Sequence, residues 1–234
     1  MIQFYSPDIE KTLTLPEEES GHCVRVLRMR EGEEIRVTDG KGNIYYCKIT
    51  EANHRQVALE ILRKESKPHR GYEIILAIAP TKNSDRLERM VEKATEIGVD
   101  KIVLLKCQRS ERKNQRIDRL NRIIISAMNQ SLDSYLPKLQ DITPLKEFVS
   151  NQSSNFQKFF GYCDKNYPLK NFSQECEASK SVVIMIGPEG DFSPEEVEMS
   201  VAHGFVPVTF GNKRLRTETA GVYALCAINV LNEL

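Results

Sequence analysis

Residues 181–194 read Ser-Val-Val-Ile-Met-Ile-Gly-Pro-Glu-Gly-Asp-Phe-Ser-Pro, and residues 205–220 read Phe-Val-Pro-Val-Thr-Phe-Gly-Asn-Lys-Arg-Leu-Arg-Thr-Glu-Thr-Ala. Each stretch is a short apolar run that breaks on glycine into a polar loop, with a helix signal behind it. Pro194 suits a first helical turn and Thr219 a helix N-cap. Unbroken apolar strands followed by helices are the pattern of a parallel sheet covered on both faces. Upstream the alternation repeats. Glu73–Ala79 reads as a buried strand, and Ser84–Ile97 as a helix with Leu87, Met90, Val91, Ala94 and Ile97 on one stripe, closed by Gly98. Ile102–Leu105 is a strand, Ile117–Ser131 an amphipathic helix, and Phe156–Cys163, Val182–Ile186 and Val206–Phe210 are strands. Pro194–His203 and Thr219–Leu234 complete the helices.

The first 65 or so residues follow another pattern. Ile35–Thr38 and Ile44–Ile49 flank Asp39-Gly40-Lys41-Gly42-Asn43, a hairpin signal, and Val57–Leu62 offers a third strand. Phe4–Tyr5 adds an edge. Glu17–Glu19 ahead of Arg25, Arg28 and Arg30 suit the dipole of a short helix. This half reads as a small β-barrel with a basic edge, and Lys64–Gly71 as the linker. The expected domains are 1–69 and 70–234.

Composition excludes several classes. The chain has 234 residues, 40% hydrophobic and 28% charged, with 33 basic and 33 acidic side chains. No apolar run approaches the ~18 residues of a membrane helix, and no signal peptide is recognisable, so the expectation is a cytoplasmic protein without membrane contact. Six scattered cysteines with no CxxC pair read as reduced, mostly buried thiols. Four dispersed histidines give no support to a metal site. Zero net charge hides an uneven distribution. Lys101–Arg122 holds eight basic and two acidic residues, whereas Asn171–Ser200 holds seven acids and one lysine. The basic segment is either a solvated face or a polyanion surface.

Ligands of an open parallel sheet bind beyond the carboxyl ends of its strands, which directs attention to 79–84, 187–193 and 211–219. Neither GxGxxG nor GxxxxGK occurs, so a dinucleotide or nucleoside triphosphate site is not expected. The two glycine-started late loops suit a flat, uncharged ligand held by bare peptide groups, such as an adenine ring.

Ile186-Gly-Pro-Glu-Gly-Asp-Phe-Ser193 and Leu215-Arg-Thr-Glu-Thr-Ala220 resemble the two signature loops of the ribosomal RNA small subunit methyltransferase E family, of the SPOUT class. His22-Cys-Val-Arg-Val-Leu-Arg28, Lys93-Ala-Thr-Glu-Ile-Gly-Val99 and Gln130-Ser131 with Pro137 agree with it, in the right order across both domains. Two positions depart from the family pattern: Asp191 stands where a second glycine is usual, and Asp133 where an arginine is usual. Aspartate is among the few residues that tolerate the left-handed backbone a glycine would adopt.

The resemblance implies a PUA-like barrel followed by an α/β domain whose parallel sheet carries a trefoil knot, and a homodimer with active sites at the subunit interface. It implies methylation of uridine N3 in small-subunit rRNA with S-adenosylmethionine and no metal. The alternatives are a SPOUT enzyme acting on ribose or another RNA position, or an RNA-binding protein without transferase activity. The cofactor pocket falls to Ile186, Gly187, Glu189, Gly190, Leu215, Thr217, Thr219 and Ala220. The chemistry needs a base for the N3 proton and a cation for the uracil anion. Glu218 and Arg216 are the natural pair, with Glu189 the competing carboxylate. Phosphate contacts are expected from Arg25 and Arg28 and from Arg109, Arg112, Lys113 and Arg116.

Overall fold

The computed structural model describes residues 1–111, 115–164 and 167–233. They form two units, Met1–His69 with Ile125–Leu136, and Arg70–Ile124 with Pro137–Leu234.

The first unit is built on a four-stranded sheet. It comprises β1 (Gln3–Tyr5), helices α1 (Ile9–Thr12) and α2 (Glu17–Gly21), a π-helical turn (His22–Val26), then β2 (Glu34–Thr38), β3 (Asn43–Glu51) and β4 (Ala58–Ser66). Strand order is β1-β2-β3-β4, with β1 parallel to β2 and the other pairs antiparallel. The Asp39 carboxylate makes the hairpin by accepting from the amides of Lys41 (2.8 Å) and Asn43 (3.2 Å). Phe4, Ile35, Val37, Tyr45, Cys47 and Leu59 fill its core. The linker is shorter than expected. Ser66 still pairs with Asn43, so Lys64–Ser66 belong to β4, and the polar run there is the exposed part of a strand.

The second unit alternates strand and helix: β5 (Ile74–Ile78), α3 (Ser84–Ile97), β6 (Lys101–Lys106), α4 (Ile117–Ser131), β7 (Lys138–Pro144), α5 (Leu145–Ser150), β8 (Gln157–Gly161), β9 (Lys170–Asn171), α6 (Phe172–Glu175), β10 (Val182–Ile186), α7 (Pro194–Ala202), β11 (Val206–Thr209) and α8 (Thr217–Glu233). From Ile125 onward, α4 groups with the first unit. The seven strands run β7-β6-β5-β10-β8-β11-β9, and every pairing is parallel.

Central strands β5 and β10 are buried along their whole length, which is why they read as continuous apolar runs. Ile75, Ala77, Val103, Val183 and Met185 pack with Phe148, Val197 and Phe205 on one face. On the other face α8 approaches so closely that a Cβ on Gly221 would lie 3.2 Å from Ile78 Cδ1 and 3.5 Å from Leu76 Cδ2. Helix ends follow local chemistry. Asn83 caps α3 by accepting from the Asp85 amide (2.8 Å), and Gly98 closes it at φ 104°. Ser193 and Glu196 form a capping box at α7, with Pro194 in its first turn. Helix α8 begins at Thr217, two residues before the expected cap, because the Ala220 amide already donates to the Arg216 carbonyl (2.8 Å).

Among the described residues, no helix is long and apolar enough to cross a membrane. The six thiols are free, four of them buried, and burial pushes Cys23, Cys47 and Cys176 up to about 11.

Candidate functional site

A cavity of about 1460 Å³ opens beyond the carboxyl ends of β8, β10 and β11. Its walls are the segments 161–164, 186–189, 191–192 and 209–218, with Tyr167, Arg86 and Arg109 at the sides. Three parallel strands ending together deliver three loops to one place, which is where a sheet of this kind takes a ligand.

The loop after β10 is held from several directions. At its root the Ile186 carbonyl accepts from the Ala79 amide (3.0 Å). Thr217 Oγ1 donates to the Gly187 carbonyl (3.1 Å), a buried hydrogen bond that ties the two glycine-started loops together. Glu189 Oε1 accepts from the Lys82 amide (3.1 Å), so the 79–84 loop leans on the same segment. Arg109 Nη1 donates to the carbonyls of Gly190 (2.8 Å) and Phe192 (3.3 Å). Gly187 is tightly enclosed: a Cβ there would lie 3.1–3.4 Å from the Phe192 ring, which would have to give way by a few tenths of an ångström. Phe192 is itself pinned edge-to-face on Phe160 at 5.7 Å.

Asp191 adopts φ 62°, the left-handed backbone that explains a glycine or aspartate at this position. Its carboxylate accepts from the Cys163 amide (3.1 Å) and its own neighbour's Phe192 amide (2.9 Å), joining the loop to the end of β8. Burial raises the Asp191 carboxyl above its usual range, opposed by those two hydrogen bonds and by Arg214 and Arg109.

Of the residues expected at the cofactor, Ile186, Gly187, Glu189, Leu215, Thr217 and Ala220 line the cavity, and so do Arg216 and Glu218. Gly190 and Thr219 do not. Gly190 lies against the Arg109 stem, and Thr219 is exposed on the first turn of α8. Glu218 Oε1 sits 3.8 Å from Arg86 Nε, and its side chain is only 18% exposed. Arg25 and Arg28 are exposed in the first unit, on and just after the π-helical turn, and Arg28 has φ 56°. Arg116 is exposed at the start of α4. Arg112 and Lys113 lie outside the described residues.

Sequence reasoning missed the third wall, where Tyr162, Cys163 and Tyr167 face the cavity beyond β8. Gly161 at the end of that apolar strand was the available signal. It also missed Phe210 and Arg86.

Two family models cover the chain. An RNA methyltransferase PUA domain matches residues 15–62, and an RNA methyltransferase domain matches residues 68–229. A curated relative from Bacillus subtilis, ribosomal RNA small subunit methyltransferase E, is 26% identical across 100% of this chain and 96% of its own. The chain belongs to the ribosomal RNA small subunit methyltransferase E family. Solved structures of similar fold include a probable rRNA-methyltransferase from Porphyromonas gingivalis, 40% identical, with a TM-score of 0.93 over 100% of this chain and 99% of that one. Another is ribosomal RNA small subunit methyltransferase E from Neisseria gonorrhoeae bound to S-adenosyl methionine. It is 27% identical, with a TM-score of 0.85 over 99% of this chain and 98% of that one. Family membership thus extends over both units.

Proposed function

We propose that this protein methylates N3 of a uridine in small-subunit ribosomal RNA, using S-adenosylmethionine bound in the cavity beyond β8, β10 and β11. The observation that carries this reading is the Thr217–Gly187 hydrogen bond, which makes one pocket of the two family loops. The residues fit the cofactor. Buried backbone at 186–188 and apolar side chains from Leu215 and Phe210 suit an adenine ring. Asp191 and Glu189 supply carboxylates for its cationic parts. When bound, S-adenosylmethionine supplies an electrophilic sulfonium methyl group, so the chain's own task is orientation and proton removal.

Uridine N3–H is a weak acid and must lose its proton for N3 to act as a nucleophile. Glu218 takes that proton: its side chain lines the cavity, and Arg86 holds it from one side. Glu189 is the weaker candidate because Oε1 already accepts the Lys82 amide. Arg216, exposed beside Glu218, offers its guanidinium to a uracil carbonyl oxygen, where the anion's charge collects. Arg25, Arg28 and Arg116 supply phosphate contacts.

The reading includes a cytoplasmic homodimer, a PUA-like barrel closed from the first unit's sheet, and a trefoil knot in the second unit. Tyr223, Cys226 and Val230 form an exposed stripe along α8 that suits a second copy of the chain. The order β5-β10-β8 and the return of α8 onto β5 are consistent with a threaded C-terminal segment.

The test is methyl transfer to small-subunit rRNA, free or in assembled subunits, followed by mass spectrometry of the nucleosides. 3-Methyluridine is expected. A methylated ribose or another base would refute the acceptor assignment, and no transfer to either substrate would refute the enzyme. In single turnover, Glu218→Gln should lower the rate about 10²–10⁴-fold with cofactor affinity little changed. The same loss from Glu189→Gln, with Glu218→Gln near normal, would move the base to Glu189.

A further inference from the structure

Arg109 belongs by sequence to the basic segment 101–122, and the sequence pattern puts it among the expected phosphate contacts. One nitrogen of its guanidinium is committed elsewhere. Nη1 donates to the carbonyls of Gly190 and Phe192, residues that flank the left-handed turn at Asp191. The aliphatic stem fills the space that the missing side chain of Gly190 leaves: a Cβ built there would lie 3.4 Å from Arg109 Cβ and 3.5 Å from Cδ.

The turn that presents Arg109 is itself fastened. Ser110 Oγ accepts from the Cys107 amide (3.0 Å), and the Ser110 amide donates to the Cys107 carbonyl (3.1 Å). The Gln108 amide donates to Glu196 Oε1 (2.7 Å), the glutamate whose other oxygen closes the α7 capping box. Consecutive residues 108 and 109 thus grip both ends of the segment from Gly190 to Glu196, and Pro188, Glu189, Asp191 and Phe192 of that neighbourhood line the cavity.

We propose that Arg109 is a positioning residue for the cofactor cavity, holding the 187–192 loop in its ligand-binding form, and that it is not a phosphate contact. The proposal rests on the S-adenosylmethionine reading given above. Two carbonyls of a short loop need one donor group that reaches both, and a guanidinium does this while carrying its charge in a fixed plane. A lysine ammonium keeps the charge and most of the stem, but its nitrogen is one bond nearer the backbone and falls short of the place Nη1 occupies between the two carbonyls. Charge alone is what a phosphate contact requires, so the two roles separate on this substitution.

Calorimetric affinity for S-adenosylmethionine and rRNA affinity at several salt concentrations are measured for the native chain, Arg109→Lys and Arg109→Ala. The cofactor Kd should rise about ten- to a hundredfold in Arg109→Ala and by a smaller factor in Arg109→Lys. The rate at saturating cofactor should fall by a smaller factor than the affinity, because the loss is chiefly one of binding. The dependence of log affinity for RNA on log salt should keep its slope. Arg109→Lys preserves stem packing, so it reports even where Arg109→Ala folds poorly. Native cofactor affinity in Arg109→Lys, together with a slope reduced by about 0.7–0.9 in Arg109→Ala, would overturn the proposal. A native chain that itself failed to bind S-adenosylmethionine would sink the proposed function as well, which distinguishes the two failures.

Discussion

Replacing Thr217 by valine tests whether the two loops act as one site. Valine matches threonine in shape and changes only the hydroxyl to a methyl. Thr217 is 6% exposed, and its Oγ1 donates at 3.1 Å to the Gly187 carbonyl, which is also buried. In the variant that carbonyl keeps its burial and loses its side-chain partner, a cost of about 1–3 kcal/mol. For a domain of this size each kcal/mol moves the melting temperature by roughly 2–4 °C, so the second unit should melt about 2–12 °C lower. Because the orphaned carbonyl is on the cavity wall, cofactor affinity should fall too. Thr219→Val is the control: Thr219 is exposed two residues later on the same helix, and its loss should change stability by no more than about 0.5 kcal/mol. Thr217→Ser, which keeps the hydroxyl, should recover most of the affinity. Scanning calorimetry with and without S-adenosylmethionine reads all three variants. If Thr217→Val melted within about 1 °C of Thr219→Val and bound cofactor equally well, the loops would not be coupled through this bond.

Asp191→Asn tests the burial of that carboxyl. Its folded pKa is raised, so its contribution is present at low pH and fades as pH climbs through the carboxylate range. Native stability should therefore fall relative to Asp191→Asn as pH rises, and urea unfolding that showed a constant or opposite gap would contradict this. Arg25→Gln and Arg28→Gln together should reduce the salt slope of RNA binding by roughly 1.4–1.8, about 0.7–0.9 per phosphate contact. An unchanged slope in that pair would remove the first unit's basic edge from the RNA interface.

Much of the second unit was legible in the chain. Helix α3 ends where Asn83 and Gly98 say it should, because a side-chain cap and a left-handed glycine act on the residues beside them. Strands β5 and β10 announce burial on both faces through unbroken apolar runs. The loops at 187–192 and 211–219 were recognisable for the same reason: glycine, proline and N-cap chemistry are local. Strand β7 was not foreseen. Lys138–Pro144 alternates weakly and is half-exposed at the sheet edge, so its pairing with β6 supplies what its own residues do not declare. The two-residue β9 and the four-residue α6 are too short to carry a period at all.

The sequence alone marked most of the strands and helices, with β7, α5, β9 and α6 among the exceptions, and singled out the two glycine-started loops as candidates. Tertiary structure decided that β8 runs beside β10, and so brought Tyr162 and Tyr167 to the cavity. It set Glu218 against Arg86 and engaged Glu189 with the Lys82 amide. It also turned Arg109, one of eight basic residues in its segment, toward two carbonyls 81 and 83 residues away. Periodicity, capping and turn preferences act over a few residues. Which strand pairs with which, and which distant carbonyl a guanidinium finds, depends on how whole elements bury their apolar faces together.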